Sequence, residues 1–273
     1  MMELRADLRN FFGSNDVFEN ILNAEGRVFR EHKNRKTVYV VKDGKGYFIK
    51  IHRGIGWKEI FKNLLSLRWP VLSAGNELCA IRRLEEIGIE TAKVAGFGER
   101  GMRPAWLESF LITDDLVNTI SLEDFSRDWR SHPPDFTMKS AIIERVAGIA
   151  RLLHRSGINH RDFYICHFLL DTSGLNKNDD YEGLHIYLID LHRMQMRERT
   201  PLRWRIKDLS GLLFSSMNIG LTKRDIFRFM KAYSGKPLRN TLTEDASLWS
   251  QVFRRSVKLY ERHFGRRPDV PFF

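Results

Sequence analysis

Between residues 26 and 54, in GRVFREHKNRKTVYVVKDGKGYFIKIHRG, β-forming residues alternate with polar ones, and Asp43-Gly44-Lys45-Gly46 supplies a turn. A period of two predicts an antiparallel meander of about three strands. The period then changes. In GWKEIFKNLLSLRWP, Trp57, Ile60, Phe61, Leu64 and Leu65 recur at helical spacing, Lys58, Glu59, Lys62 and Asn63 lie opposite, and Pro70 ends the run. This pattern predicts an amphipathic helix. A second helix is expected over AGNELCAIRRLEEIGI, closing at Gly88, and TAKVAGFG and AWLESFLITDDL read as strands.

After ITDDLVN the pattern becomes mostly helical: SLEDFSRDW, then MKSAIIERVAGIARLLHRSGI with Ile142, Val146, Ile149 and Leu153 on one face. LHIYLID reads as a short buried strand, and RWRIKDLSGLLFSSMN, TKRDIFRFMKAY and SLWSQVFRRSVKLYERHF as helices. The expected architecture is α+β and two-lobed: a β-rich N-lobe over residues 1–115 and a helical C-lobe over 116–273, together one domain. A nucleotide would sit in the cleft between such lobes.

Composition narrows the partners. The chain has 273 residues, 42% hydrophobic and 29% charged, within the range of soluble globular proteins. Its net charge of +11 favours an anionic partner: nucleic acid, an acidic protein, a phosphorylated small molecule or an anionic membrane face. The two cysteines, Cys79 and Cys166, have no CxxC spacing, so no disulfide framework or four-cysteine zinc site is expected and a reducing compartment is. No signal peptide or membrane-spanning run is read, which points to a cytoplasmic protein, peripheral on membranes at most. Nucleic-acid binding is not expected, because no helix-turn-helix, zinc-finger or RNP signature is present.

The chemistry concentrates in GINHRDFYICHFLLD, residues 157 to 171. Its His160-Arg161-Asp162 follows a predicted helix and precedes an apolar strand-like tail, as the H-R-D-x-x-x-x-N loop of a phosphoryl-transfer enzyme does. Asp162 fits the base that orients the attacking hydroxyl, and His167 stands where the metal-binding Asn would be. Asp190 ends the strand LHIYLID, 28 positions on, where a carboxylate suits Mg²⁺. Lys50, in YFIKIHRG, fits the lysine on the ATP phosphates, and Glu77, opening the next helix, fits its partner. Alone, each would read as a solvated lysine, a first-turn carboxylate or a turn aspartate; their order makes the case. His160, Cys166, His167, His185 and His192 resemble a zinc cluster by count only, since the paired spacings of such sites are absent.

YFIKIHRGIGW, NHRDFYICHFLL, IDLHR and RWRIKDL together resemble the lipopolysaccharide core heptose(I) kinase family, of the WaaP/RfaP type, from about residue 26 to the C-terminal helices. The resemblance implies a protein-kinase-like fold and transfer of the ATP γ-phosphate to O-4 of the first heptose of the lipopolysaccharide inner core. It implies Lys50 and Glu77 at ATP, Asp162 as catalytic base, Asp190 and His167 at the metal, and His160 and Asp208 in support of the catalytic loop. The implied cofactors are ATP and Mg²⁺. Acyl carrier protein is an implied acidic partner, and the inner leaflet that carries the glycolipid an implied contact.

The chain departs from the general kinase pattern in three places. No G-x-G-x-x-G lies between Gly26 and Thr37, so Arg27, Arg30 and Lys33 are the candidates for cradling phosphate there. His167 offers nitrogen where Mg²⁺ prefers oxygen. Only 17 residues separate Asp190 from Asp208, with no A-P-E, which leaves little room for a peptide-binding segment and favours a glycolipid or small-molecule acceptor. Arg193, Arg197, Arg199, Arg203 and Arg205 cluster just beyond Asp190. Arginine forks suit carboxylates and phosphates, so Arg193, Arg197 and Arg203 are candidate acceptor-binding residues. The alternative acceptor is Kdo or another small hydroxylated compound. The helix over 57–69 packs on its own domain or docks a partner, either a membrane or acyl carrier protein.

Overall fold

The structure, a computed structural model, describes residues 1–273 apart from 10, 14, 33, 55, 58–72, 174, 176–180, 182 and 271–273. All but Trp57 of the helix expected over 57–69, and the phosphate-cradling role expected of Lys33, lie outside the described residues. The chain forms two compact units, Met1–Arg83 with Ala92–Leu116, and Leu84–Thr91 with Val117–Phe273.

The first unit is built on an antiparallel sheet of six strands: β1 (Met2–Leu4), β2 (Arg27–His32), β3 (Arg35–Lys42), β4 (Lys45–His52), β5 (Val94–Arg100) and β6 (Glu108–Asp114), in the order β1-β5-β6-β4-β3-β2. The expected meander is β2 to β4. Asp43 and Gly44 both take positive φ, 50° and 76°, the backbone of a tight hairpin turn whose twist matches the strands. Along β4, Tyr47, Ile49 and Ile51 are buried and Lys50 falls on the other face. Those three pack with Val38, Phe110 and Ile112, and with Leu8, Ile21 and Leu22 from helices α1 (Ala6–Arg9) and α2 (Val17–Leu22). Helix α3 (Gly75–Glu86) starts against β6, where the Ser109 hydroxyl accepts the Ala74 amide at 2.9 Å.

The second unit is mainly helical: α4 (Leu122–Phe125), α5 (Phe136–Arg155), α6 (Leu202–Ser216), α7 (Lys223–Ser234), α8 (Leu238–Glu244) and α9 (Ala246–Phe264). Helix α5 buries Ile142, Val146, Ile149 and Leu153, the face its period predicts, together with Ile143, Ala147 and Ala150. SLEDFSRDW forms only the short α4, capped by Ser121, whose hydroxyl accepts the Asp124 amide at 3.0 Å. Ser126 ends it by donating its hydroxyl to the Leu122 carbonyl at 2.5 Å, a local bond that competes with further helix. Two small sheets complete the unit, β10-β9-β7 and β11-β8, from β7 (Thr119–Ser121), β8 (Ile158–Asn159), β9 (Phe168–Asp171), β10 (Ile186–Leu188) and β11 (Gln195–Met196). Gly157 enters β8 at φ 78°, and a Cβ there would overlap the Arg197 carbonyl, so only glycine fits.

The segment 84–91 belongs with the helical unit because its end hydrogen-bonds to β10. The Leu188 amide donates to the Glu90 carbonyl at 2.8 Å, and the Thr91 hydroxyl donates to the Leu188 carbonyl at 2.7 Å. Sequence periodicity carries no trace of that pairing. No helix among the described residues is long and apolar enough to cross a membrane.

Candidate active site

In the first unit Lys50 lies mid-strand, opposite Thr37 of β3 and Leu111 of β6, so backbone pairing on both sides fixes where its side chain starts. Its Nζ is 2.5 Å from Glu77 Oε1 in the first turn of α3. Glu77 is 4% exposed, and its Oε2 is buried with no hydrogen-bond partner among the described residues. A buried carboxylate holding a lysine in one rotamer is what a phosphate-binding cation requires. Arg27 and Arg30 lie on β2; the Arg27 guanidinium stands 4.9 Å from the centre of the Phe29 ring.

In the second unit β8 delivers the chain into His160-Arg161-Asp162, and Arg161 takes φ 76°, strained for a residue with a Cβ. One group holds that turn. Asp208, on α6 and 1% exposed, accepts the His160 amide at 2.6 Å on Oδ2 and the Arg161 amide at 2.9 Å on Oδ1. His154 Nε2 lies 3.5 Å from the same Oδ2. The His160 ring is buried and donates Nε2–H to the Ile189 carbonyl at 3.0 Å, tying the loop to the chain beyond β10. Burial pushes its pKa below the usual imidazole value, so it serves as a neutral strut.

Asp162 emerges from this brace half-buried, with one guanidinium nitrogen of Arg193, Nη1, 2.9 Å from each of its carboxylate oxygens. His167 donates Nδ1–H to the Asp162 carbonyl at 2.7 Å, because a carbonyl can only accept. Its other ring nitrogen, Nε2, faces Asp190 Oδ2, 3.5 Å away. An imidazole nitrogen and a carboxylate oxygen are both able to ligate a cation, so this pair is where a metal ion would be held. The other Asp190 oxygen, Oδ1, is 2.6 Å from His192 Nδ1, and Asp190 takes φ 61° and ψ 52°.

The three arginines read as acceptor-binding divide. Arg193 is turned onto Asp162. Arg197 donates to Asn159 Oδ1 at 2.7 Å and Gln195 Oε1 at 2.9 Å, bonds spent within the β8–β11 pair. Arg203 is exposed and lies 5.4 Å from the centre of the Trp204 ring. Trp204 was not read as a site residue, yet Arg161, Arg197 and Lys207 also stand at 5.5, 6.0 and 5.4 Å from its ring. Its only signal in sequence is one aromatic among alternating basic residues in LRWRIK. Burial, then Arg161 and Arg193, push the Lys207 pKa down. His192 appeared in sequence only as a member of a nominal zinc cluster.

Among the described residues no three His, Cys, Asp or Glu side chains form a metal-binding group. Burial pushes the Cys166 thiol up to about 11, so it stays protonated and unreactive near neutral pH.

The model of the lipopolysaccharide kinase (Kdo/WaaP) family matches residues 19–233. The chain is 50% identical over 262 residues to the lipopolysaccharide core heptose(I) kinase WaaP of Escherichia coli, covering 96% of this chain and 98% of that protein. It is 48% identical over 259 residues to the protein of the same name from Pseudomonas aeruginosa, covering 95% and 96%. Among solved structures, WaaP in complex with acyl carrier protein superimposes with a TM-score of 0.81 at 41% identity, covering 96% of this chain and 100% of that one.

Proposed function

Since the chain belongs to the lipopolysaccharide kinase (Kdo/WaaP) family, we propose that it is an ATP-dependent kinase that phosphorylates heptose I of the lipopolysaccharide inner core, at O-4. The roles below rest on the geometry of each unit and on the chemistry that phosphoryl transfer demands, which is positioning and charge stabilisation rather than covalent catalysis.

In the first unit the Lys50–Glu77 pair presents a fixed cation to the α and β phosphates of ATP. In the second unit Asp162 accepts a hydrogen bond from the heptose hydroxyl, orients its oxygen for attack on the γ-phosphorus, and takes the proton as the new bond to phosphorus forms and the bond to the ADP oxygen breaks. Asp190 and His167 would hold Mg²⁺, which neutralises phosphate charge when bound. Asp208 and His160 keep Asp162 presented. The observation that carries the reading is the Asp208 brace, because it satisfies two amides of a strained turn and leaves the carboxylate of Asp162 outside it.

Arg193 ties the base to the acceptor: its guanidinium holds Asp162 and can exchange to a phosphate or carboxylate of the incoming glycolipid. Arg203, beside Trp204, adds to the positive field that draws this acceptor. Acyl carrier protein, present with the solved WaaP structure, is the proposed protein partner, and the net charge of +11 suits an acidic protein. The acceptor places the work at the cytoplasmic face of the inner membrane.

The test is transfer of labelled γ-phosphate from ATP to heptose-containing lipopolysaccharide that lacks its core phosphate, with wild-type protein and Asp162→Ala. Transfer by the wild type that is lost in a folded Asp162→Ala protein is the expected result. Transfer that survives the substitution would remove Asp162 from its role, and no transfer by the wild type would remove the acceptor.

A further inference from the structure

Within the helical unit is a cavity of about 330 Å³ whose lining includes Arg151, Arg155, Arg199, Arg205, Lys236 and Asp245. Four arginines and a lysine share it with a single carboxylate, and that carboxylate is already matched. Lys236 pairs with Glu244 at 2.8 Å and with Asp245 at 3.6 Å. Among the described residues no ion pair is formed by Arg151, Arg155, Arg199 or Arg205, so the cavity carries an uncompensated positive charge. Like charges gathered around a hollow repel one another, and the arrangement is relieved when an anion enters.

Two of the arginines are also fixed. Arg205 donates Nε–H to the Tyr233 hydroxyl at 2.9 Å, and that tyrosine is buried. Arg151 lays its guanidinium against Gly235, at φ 66°, in the space a Cβ would fill. Held guanidinium forks lose little freedom when they bind, and their planar donor pairs match phosphate oxygens. A single carboxylate would leave most of the charge unmatched, whereas a phosphate-bearing group carries two or more charges on several acceptors. The volume sits at the small end of ligand cavities, enough for an anion of a few heavy groups.

We propose that this cavity is a second, non-catalytic binding site for a phosphate-bearing anion, held by Arg151, Arg199 and Arg205. Free phosphate compounds and the phosphates of a glycolipid share that chemistry. The site also has a route to the catalytic loop. The Tyr233 hydroxyl that orients Arg205 is 2.9 Å from His154 Nδ1, and His154 Nε2 is 3.5 Å from the Asp208 carboxylate that braces the loop.

The experiment is calorimetric titration of the full chain, without divalent cations and in buffer free of phosphate and sulfate, with inorganic pyrophosphate and, separately, with core-phosphorylated lipopolysaccharide in detergent. Arg151→Gln and Arg199→Gln are compared with wild type. Arg199 is exposed and makes no hydrogen bond among the described residues, so its replacement removes charge without disturbing the fold. Lys50→Met/Glu77→Leu, which removes the cation proposed for the ATP phosphates, serves as the control for binding at the kinase site. The expected result is saturable binding of pyrophosphate, weakened about tenfold or more by both arginine substitutions and retained by Lys50→Met/Glu77→Leu. Binding of the lipopolysaccharide alone, with the same dependence on both arginines, would assign the site to a lipid-linked phosphate. Absence of binding to either probe, binding indifferent to the arginines, or binding lost in Lys50→Met/Glu77→Leu would overturn the proposal. Because the readout is binding, its failure is separate from any failure of phosphate transfer.

Discussion

Arg193 Nη1 stands 2.9 Å from both carboxylate oxygens of Asp162. A hydroxyl arriving at that carboxylate must share it with a cation that already fixes its rotamer. Arg193→Ala is therefore expected to lower kcat/KM for the lipopolysaccharide acceptor by about 10- to 100-fold, the scale of one charge-assisted bond, with Arg193→Lys between the two. Steady-state kinetics at saturating ATP measures it. Faster turnover in Arg193→Ala would recast the contact as inhibitory.

Asp208 accepts two backbone amides inside the protein. Asp208→Ala strands both, at about 1–3 kcal/mol each, and is expected to lower Tm by several degrees and to abolish transfer. Asp208→Asn retains one acceptor oxygen and should fall between. Thermal denaturation and the transfer assay run on the same samples separate loss of fold from loss of catalysis.

Lys50 and Glu77 form a pair with one member buried. Lys50→Met leaves Glu77 a buried, unmatched charge, so both stability and the KM for ATP should suffer, the latter by about tenfold or more, while the KM for the acceptor stays unchanged. The double variant Lys50→Met/Glu77→Leu should regain stability without regaining activity. Recovery of activity in the double variant would show that the pair is purely structural.

Asp7, in the first unit, is tied to Arg5 at 2.9 Å and to the Tyr47 hydroxyl at 3.1 Å. The Arg5 guanidinium holds its carboxyl at about 2, against an ordinary value of 3.8. A lowered carboxylate stabilises the fold above its unfolded value and loses that contribution as pH falls through the folded one. The difference in Tm between wild type and Asp7→Asn is expected to be full above pH 4 or so and to shrink toward zero near pH 2. A difference independent of pH would exclude the ion pair as its source.

The elements that sequence made plain are those whose own residues settle their form. Asp43-Gly44 carries the turn of a hairpin, alternation carries β3 and β4, and a long apolar stripe carries α5. Lys50 and Glu77, 27 positions apart, could be considered together because a strand followed by a helix is a familiar order. What sequence hid is set by partners distant along the chain. Nothing local predicts that Arg193 turns back to Asp162, that His192 takes one oxygen of Asp190, or that four cations gather at Trp204. The short β1, β8 and β11 have too few residues to show a period; β1 forms on the edge that β5 offers at Gly96, Phe97 and Gly98, and β8 and β11 form on each other.

The brace at Asp208 also sets an order of events during synthesis. The catalytic turn leaves the ribosome 47 to 48 residues before the carboxylate that latches it. Helix α6, which carries the latch, is in turn seated by α9, through the Ser210 hydroxyl on the Val252 carbonyl at 3.3 Å and the Ser256 hydroxyl on the Ser210 carbonyl at 3.2 Å. A nascent chain that has not yet released α6 therefore lacks the carboxylate that latches its HRD turn, and one that has α6 without α9 lacks the two serine hydrogen bonds that seat the latch.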